Sequence, residues 1–228
     1  MSRLGVALLF AAAGCTDFAT PAQLATPQLI AVVAEPPVVR PGQTSALTAV
    51  VAGPDGVVTG LTPRWSLVES FPTVPPMGTV SADGDGARYA APAEVPERPE
   101  GVPPIDTVRL EVDVTVDGAP RTLAALKVMG VVDVDAENPT IRVVDAAGAE
   151  VTALTAAVDA PLALAIEPDP APTEDARFAW YATVGEIEAY QSNPTELTAA
   201  EPGAGTVIVV YRDGAGGVAW RELPITVE

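Results

Sequence analysis

Twenty-four prolines and 19 glycines are spread along the whole of this 228-residue chain, and that spacing constrains its fold more than any other feature. Proline removes a backbone donor and clashes with the preceding helical turn, so long helices have nowhere to form. Short strands joined by tight turns fit between the punctuation marks instead. Hydrophobic residues make up 48% of the chain but aromatics only 5%, so the cores must be built largely from small aliphatic side chains. At roughly 100–150 residues per domain, the length predicts two all-β domains.

The turns are legible one by one. "RPGQT" (40–44) and "GPDG" (53–56) combine a proline-fixed φ with a glycine able to take φ > 0. Between them Leu47, Ala49 and Val51 alternate with polar or small residues, the period of a strand. Trp65 and Leu67 share a face of the next strand. "DTVRLEVDVTVDGAPRTLAALKVMG" (106–130) gives the clearest hairpin, with Val108, Leu110, Val112, Val114 and Val116 on one face and a return strand from about Arg121 to Met129. The second half repeats the order: a strand and turn at "DAAGAE", a polar proline-rich loop "DPAPTEDAR" (169–177), a strand with Phe178 and Trp180, "VGEIE", "NPTELTA", and a final hairpin in which Thr206–Tyr211 and Gly217–Val227 flank "RDGAGG". Trp65 matches Trp180, "MGTVS" matches "VGEIE", and "ARYAAP" matches "PTELTA", as in a degenerate tandem repeat.

About seven strands around a central tryptophan is the pattern of an immunoglobulin-like sandwich. The succession "VRPGQTSALTA", "PRWSL", "GTVSADGDGARYAAP" and "DTVRLEVDVTVDG" resembles bacterial Ig-like domains of surface and periplasmic proteins. The shared marks are the PGQ turn, the tryptophan strand, a G-x-[VI] segment leading to Y-x-A-P, and a long penultimate strand. The resemblance implies a fold and is silent on activity, because a sandwich is a scaffold. The expected fold class is therefore all-β, two tandem Ig-like β-sandwich domains, at 28–131 and 140–228, joined by an acidic linker, 132–139.

The N-terminus carries a different signal. Arg3 is a positive n-region, and Leu4–Ala13 is an apolar run of ten residues, too short to span a bilayer. Ala12, Ala13 and Gly14 then precede Cys15, the one cysteine of the chain. This resembles the lipobox of bacterial lipoproteins, with Ala12 where leucine is usual. The resemblance implies cleavage after residue 14, acylation of the Cys15 thiol, and, with threonine rather than aspartate at position 16, sorting to the outer membrane. An ordinary signal peptide followed by an unmodified cysteine is the alternative. Residues 15–27 read as the lipidated cysteine and a flexible tether. The ending "YRDGAGGVAW" is similar to lipoproteins of myxobacteria-type genomes.

Composition excludes several functions. One cysteine and no histidine leave no intramolecular disulfide, no Cys/His zinc site and no Ser-His-Asp or Cys-His catalysis. Thirty acidic residues against 12 basic ones, a formal charge of −18, lack the basic footprint of nucleic-acid binding. Three acidic stretches merit inspection. Asp133, Asp135 and Glu137 alternate in the linker and offer oxygens for a Ca²⁺ that would stiffen the joint; a solvated acidic linker is the plainer reading. "SADGDG" (81–86) starts like an EF-hand loop but puts Pro92 where the bidentate glutamate belongs, so a turn is expected. "EPDPAPTED" (167–175) is an acidic loop at a sandwich end, placed to connect strands or to meet a partner. No carboxylate pair is singled out for glycosidase chemistry. Trp65 and Trp180 read as core, and Tyr211 and Trp220 as the pair best placed to reach a ligand if the last hairpin brings them together.

The expectation is a non-enzymatic, lipid-anchored envelope protein whose Ig-like modules hold a position or contact an envelope protein or glycan. A carbohydrate-recognition or enzyme-accessory module, and a pure spacer, are the alternatives.

Overall fold

In a computed structural model of the chain, residues 20–69 and 74–228 are described. Residues 1–14, expected as a signal peptide, and Cys15, the expected lipidation site, lie outside them. Among the described residues, seventeen strands form four sheets, two in each half. In the first half, β1 (Gln28–Glu35), β3 (Thr44–Gly53), β7 (Gly86–Ala90) and β6 (Thr79–Asp83) lie in the order β1-β3-β7-β6, with β4 (Gly56–Val57) against β3. The facing sheet runs β2-β9-β8-β5, from β2 (Val38–Val39), β9 (Ala119–Val131), β8 (Ile105–Val116) and β5 (Arg64–Val68).

The second half repeats this wiring. One sheet is β10-β12-β15-β14, from β10 (Thr140–Val144), β12 (Leu162–Asp169), β15 (Thr195–Thr198) and β14 (Glu186–Ile187). The other is β11-β17-β16-β13, from β11 (Leu154–Ala156), β17 (Val218–Val227), β16 (Gly203–Arg212) and β13 (Arg177–Ala182). In each half the first strand leaves one sheet and its continuation joins the other, pairing parallel with the last strand: β2 on β9, and β11 on β17. In the first half Pro36 and Pro37 enforce that change of sheet, since neither can donate to the ladder. The strand order is that of an Ig-type sandwich, so the chain is two tandem Ig-like domains.

The turns follow from their residues. Asp117 (φ 51°) and Gly118 (φ 77°) are both left-handed, the two-residue hairpin connection whose twist matches the strands it joins, so β8 and β9 pair without slip from Ile105↔Gly130 to Val116↔Ala119. The glycine shared by "MGTVS" and "VGEIE" has a packing reason. A Cβ on Gly78 would lie 2.5 Å from the Ala90 carbonyl oxygen, and one on Gly185 2.6 Å from that of Thr198.

Each sandwich has its own core. Leu47, Tyr89, Val108 and Met129, continued by Val51, Leu110 and Val112, fill the first. Trp180, Leu164, Ile166, Leu197, Val207, Val209 and Tyr211 fill the second. A further apolar cluster belongs to neither domain alone: Ile30, Ala31, Val50 and Ala52 of β1 and β3 meet Ile208, Val210 and Val218 of β16 and β17. The outer face of one sandwich is thus packed on the outer face of the other.

Residues 20–27, expected as part of a tether, are laid onto this body. Gln23 bridges in parallel to Ala182, Leu24 N donates to the Ala182 carbonyl (2.9 Å), and Ala182 N donates to that of Ala22 (2.9 Å). Ala22 enters the second core while Leu24 enters the seam between domains. The segment covers the open edge of β13, satisfying backbone groups that a bare edge would leave unpaired. Its two buried apolar residues, Ala22 and Leu24, serve two different cores.

Candidate functional site at the domain junction

The polar groups that cross the junction are few and specific. Asn138, the one neutral polar residue of the linker, donates from Nδ2 to the Ala34 carbonyl (2.7 Å) and to the Glu35 carboxylate, while its Oδ1 accepts from Val218 N (2.8 Å). Glu222 of β17 accepts from Val57 N (3.1 Å), and Arg212 Nη2 donates to the Ile30 carbonyl (2.7 Å). Lys127 of β9 sends its ammonium to the Gly216 carbonyl in the turn of the last hairpin. Burial pushes the Lys127 ammonium below its usual range.

Beside these contacts lies a cleft of about 370 Å³. Its walls are the outer edges of β1 (Leu29–Val32) and β9 (Ala125–Val128), the glycine turn at 214–217, and the side chains of Asp175, Arg177 and Arg212. The loop "DPAPTEDAR" therefore reaches the junction, where Thr173 Oγ1 donates to the Asp213 carbonyl (3.1 Å).

The linker acids do not form the calcium site that their alternation offers. Among the described residues no group of three or more carboxylates, histidines or cysteines is placed to hold a metal ion. The positive charge beside them is Arg40 of the "RPGQT" turn, whose Nη2 lies 2.9 Å from Asp135 and whose Nε lies 3.6 Å from Asp133. Both carboxylates are well exposed, so these are surface pairs worth about 0–1 kcal/mol. Glu137 is exposed to solvent.

"SADGDG" is a hairpin turn, with Gly84 (φ 60°) between β6 and β7 and Asp83 paired to Arg88 at 2.7 Å. Trp180 is fully buried and donates from Nε1 to the Ser192 carbonyl (3.0 Å). Trp65 is partly buried between the two halves of its core. Tyr211 and Trp220 do not face each other. The register pairs Tyr211 with Ala219 and Val210 with Trp220, so the two rings project to opposite faces. Tyr211 packs on Phe178 inside the second core, centroids 5.3 Å apart, and Trp220 packs against the seam. Every aromatic residue among those described is at least partly buried.

The buried carboxylate is Asp106, and it is fully engaged. It accepts from Met77 N (2.9 Å), Gly78 N (2.7 Å) and Tyr89 Oη (2.8 Å), with Arg98 Nη2 at 3.8 Å. Burial, then the hydrogen bond to Asp106, hold the Tyr89 hydroxyl protonated well above its ordinary range. This cluster ties the proline-rich segment before β8 to the sandwich.

No family model matches the chain, and no curated protein matches it by sequence. Among solved structures it is similar to the N-terminal Ig1-2 module of the Drosophila receptor protein tyrosine phosphatase DLAR, at 12% identity over 89% of this chain and 98% of that one, with a TM-score of 0.33. The fibronectin(III)-like modules of Clostridium thermocellum CbhA match at 14% identity over 89% and 94% of the two chains, TM-score 0.32. The Yersinia pseudotuberculosis adhesin InvE matches at 10% identity over 86% and 58%, TM-score 0.27. At that level of overlap the Ig-like assignment rests on the strand order itself.

Proposed function

We propose that this is a non-enzymatic cell-envelope lipoprotein, anchored through acylated Cys15 in the outer membrane, whose two Ig-like modules present one surface to an envelope protein or glycan. The observation that carries this reading is the apolar seam between Ile30, Val50, Ile208 and Val210. A spacer gains reach by placing modules end to end. Here sheet faces are packed together, which shortens the molecule and fixes the relative position of the two modules. That arrangement supports a presenting unit rather than a stalk. The partial burial of the aromatics supports protein contact over stacking on sugars.

The strapped segment also sets the leash. Only residues 16–19 separate Cys15 from Thr20, a span of at most about 3.3–3.6 Å per residue. The body would sit close against the bilayer, held by acyl chains at ~0.8 kcal/mol per buried methylene.

The test is the intact mass and detergent partitioning of the protein from its own bacterium, beside Cys15→Ala. Acyl mass and detergent partitioning in the wild type, both lost in the variant, are the expected result. A soluble, unacylated wild type overturns the anchor and makes the protein a free periplasmic or secreted module.

A further inference from the structure

We propose that the cleft at the domain junction binds a carboxylate carried on an aliphatic skeleton, either a free organic acid or the carboxyl end of a peptide. The argument begins with charge. Acidic residues outnumber basic ones 30 to 12, and six arginines among the described residues are paired with carboxylates: Arg40, Arg64, Arg88, Arg98, Arg109 and Arg142. Three of the remaining cations, Lys127, Arg177 and Arg212, line this one cleft, and among the described residues no carboxylate lies within ion-pairing distance of any of them. In a chain of charge −18, three cations in one place without a carboxylate in direct contact run against the composition.

Their hydrogen bonds leave the charge in place. Lys127 donates to the Gly216 carbonyl, Arg212 to that of Ile30, and Arg177 Nη1 to those of Glu174 (3.1 Å) and Ala176 (2.7 Å). All four acceptors are neutral. Each guanidinium has five N–H donors in a planar fork, so both arginines keep donors for a further acceptor, and that fork matches a carboxylate. Two acids stand nearby. Asp175 lines the cleft, and Asp213 acts on Lys127 through space while its Oδ1 accepts from Ala215 N (2.7 Å) and Gly217 N (2.8 Å) of its own turn.

The walls select the rest of the ligand. Leu29, Val32, Ala125 and Leu126 are aliphatic, which suits a carbon chain better than a bare inorganic ion. The volume of about 370 Å³ lies at the small end of the roughly 300–1,000 Å³ usual for ligand sites. Lys127, an inward-pointing charge on an open strand, discourages simple strand addition along β9, so the recognition element is the ligand's charge.

The proposal stands whether or not Cys15 carries lipid, so it and the anchor fail separately. The experiment is calorimetric titration of the full chain in detergent at low salt. The probes are glutarate, the peptide acetyl-Ala-Val-Leu with a free carboxyl end, the same peptide amidated, and inorganic sulfate. Saturable one-site binding of glutarate or of the free-acid peptide is expected, and whichever binds identifies the source. The amide should not bind. Arg177→Gln, whose hydrogen bonds are local to its own loop, should weaken binding by about tenfold or more, as loss of a charge-assisted contact does. Lys127→Met is the second variant and should do the same. The proposal is overturned if neither acid binds at millimolar concentration, if sulfate or the amide binds as well, or if Arg177→Gln binds like the wild type.

Discussion

Asp113 shows how an exposed residue is held by its neighbours. Its carboxylate accepts from Arg64, through Nη1 and through Nη2 at 3.2 Å, and from Thr122 Oγ1 at 2.6 Å, across three adjacent strands. The Arg64 hydrogen bond first, then that of Thr122, lower its carboxyl pKa to about 2. A depressed acid stabilises the fold above its unfolded pKa of ~3.9 and loses that contribution as pH falls through the folded value. NMR titration of the Asp113 carboxyl should therefore show a midpoint near 2. In Arg64→Gln the midpoint should climb toward ~3.9; an unchanged midpoint would mean the pair is not formed in solution. The alternation of Asp113 with Val112 and Val114 makes its outward position readable from the sequence. The partner is not readable there, because Arg64 lies 49 residues away and only strand pairing brings it across.

Among the elements, the two glycine-led segments before β6 and β14 carry the repeat. Gly78→Ala would put a methyl 2.5 Å from the Ala90 carbonyl and 2.7 Å from the Tyr89 ring. Overpacking of this kind costs about 1–3 kcal/mol. Gly185→Ala meets the Thr198 carbonyl at 2.6 Å and adds the strain of a left-handed φ of 70°. Urea unfolding should show both losses, while Gly203→Ala, with open space around it, stays within about 0.5 kcal/mol. If Gly78→Ala also falls within that margin, the close approach of strand to strand is not what the glycine serves. The elements themselves are largely legible in the sequence: the alternation of β8, the Asp-Gly turn after it, and the tryptophan strands. The turn "DAAGAE" has the residues of a reversal between two strands of one hairpin. Instead, apart from a single bridge at Val144↔Glu150, it sends the chain from β10 to β11 in the opposite sheet. Turn residues specify a reversal, whereas the choice of sheet depends on whether the next strand finds β17.

For the whole molecule, the decisive feature is that two sandwiches are coupled through their faces. Ile208 points away from its own domain core into the seam, so Ile208→Asp should place a charge between the domains without entering either core. Unpaired charge in an apolar environment is strongly unfavourable. Scanning calorimetry should record one cooperative transition for the wild type and two for the variant. Two transitions in the wild type would mean that the seam does not couple the domains.

By itself the sequence determined the fold class, the tandem repeat and the position of nearly every turn, because proline, glycine and a period of two act locally. Its acidity and lack of histidine also ruled out several chemistries, since a residue type that is absent can act nowhere in the fold. The junction was decided only by tertiary structure. In β8 the apolar residues alternate, since only one face is buried, whereas "LIAVVA" (29–34), "AVVA" (49–52) and "VIVVY" (207–211) are nearly continuous. Such runs mark strands covered on both sides, yet they do not say by what. Which face meets which, and hence where Lys127, Arg177 and Arg212 converge, depends on contacts between residues as much as 182 positions apart, such as Arg212 on Ile30.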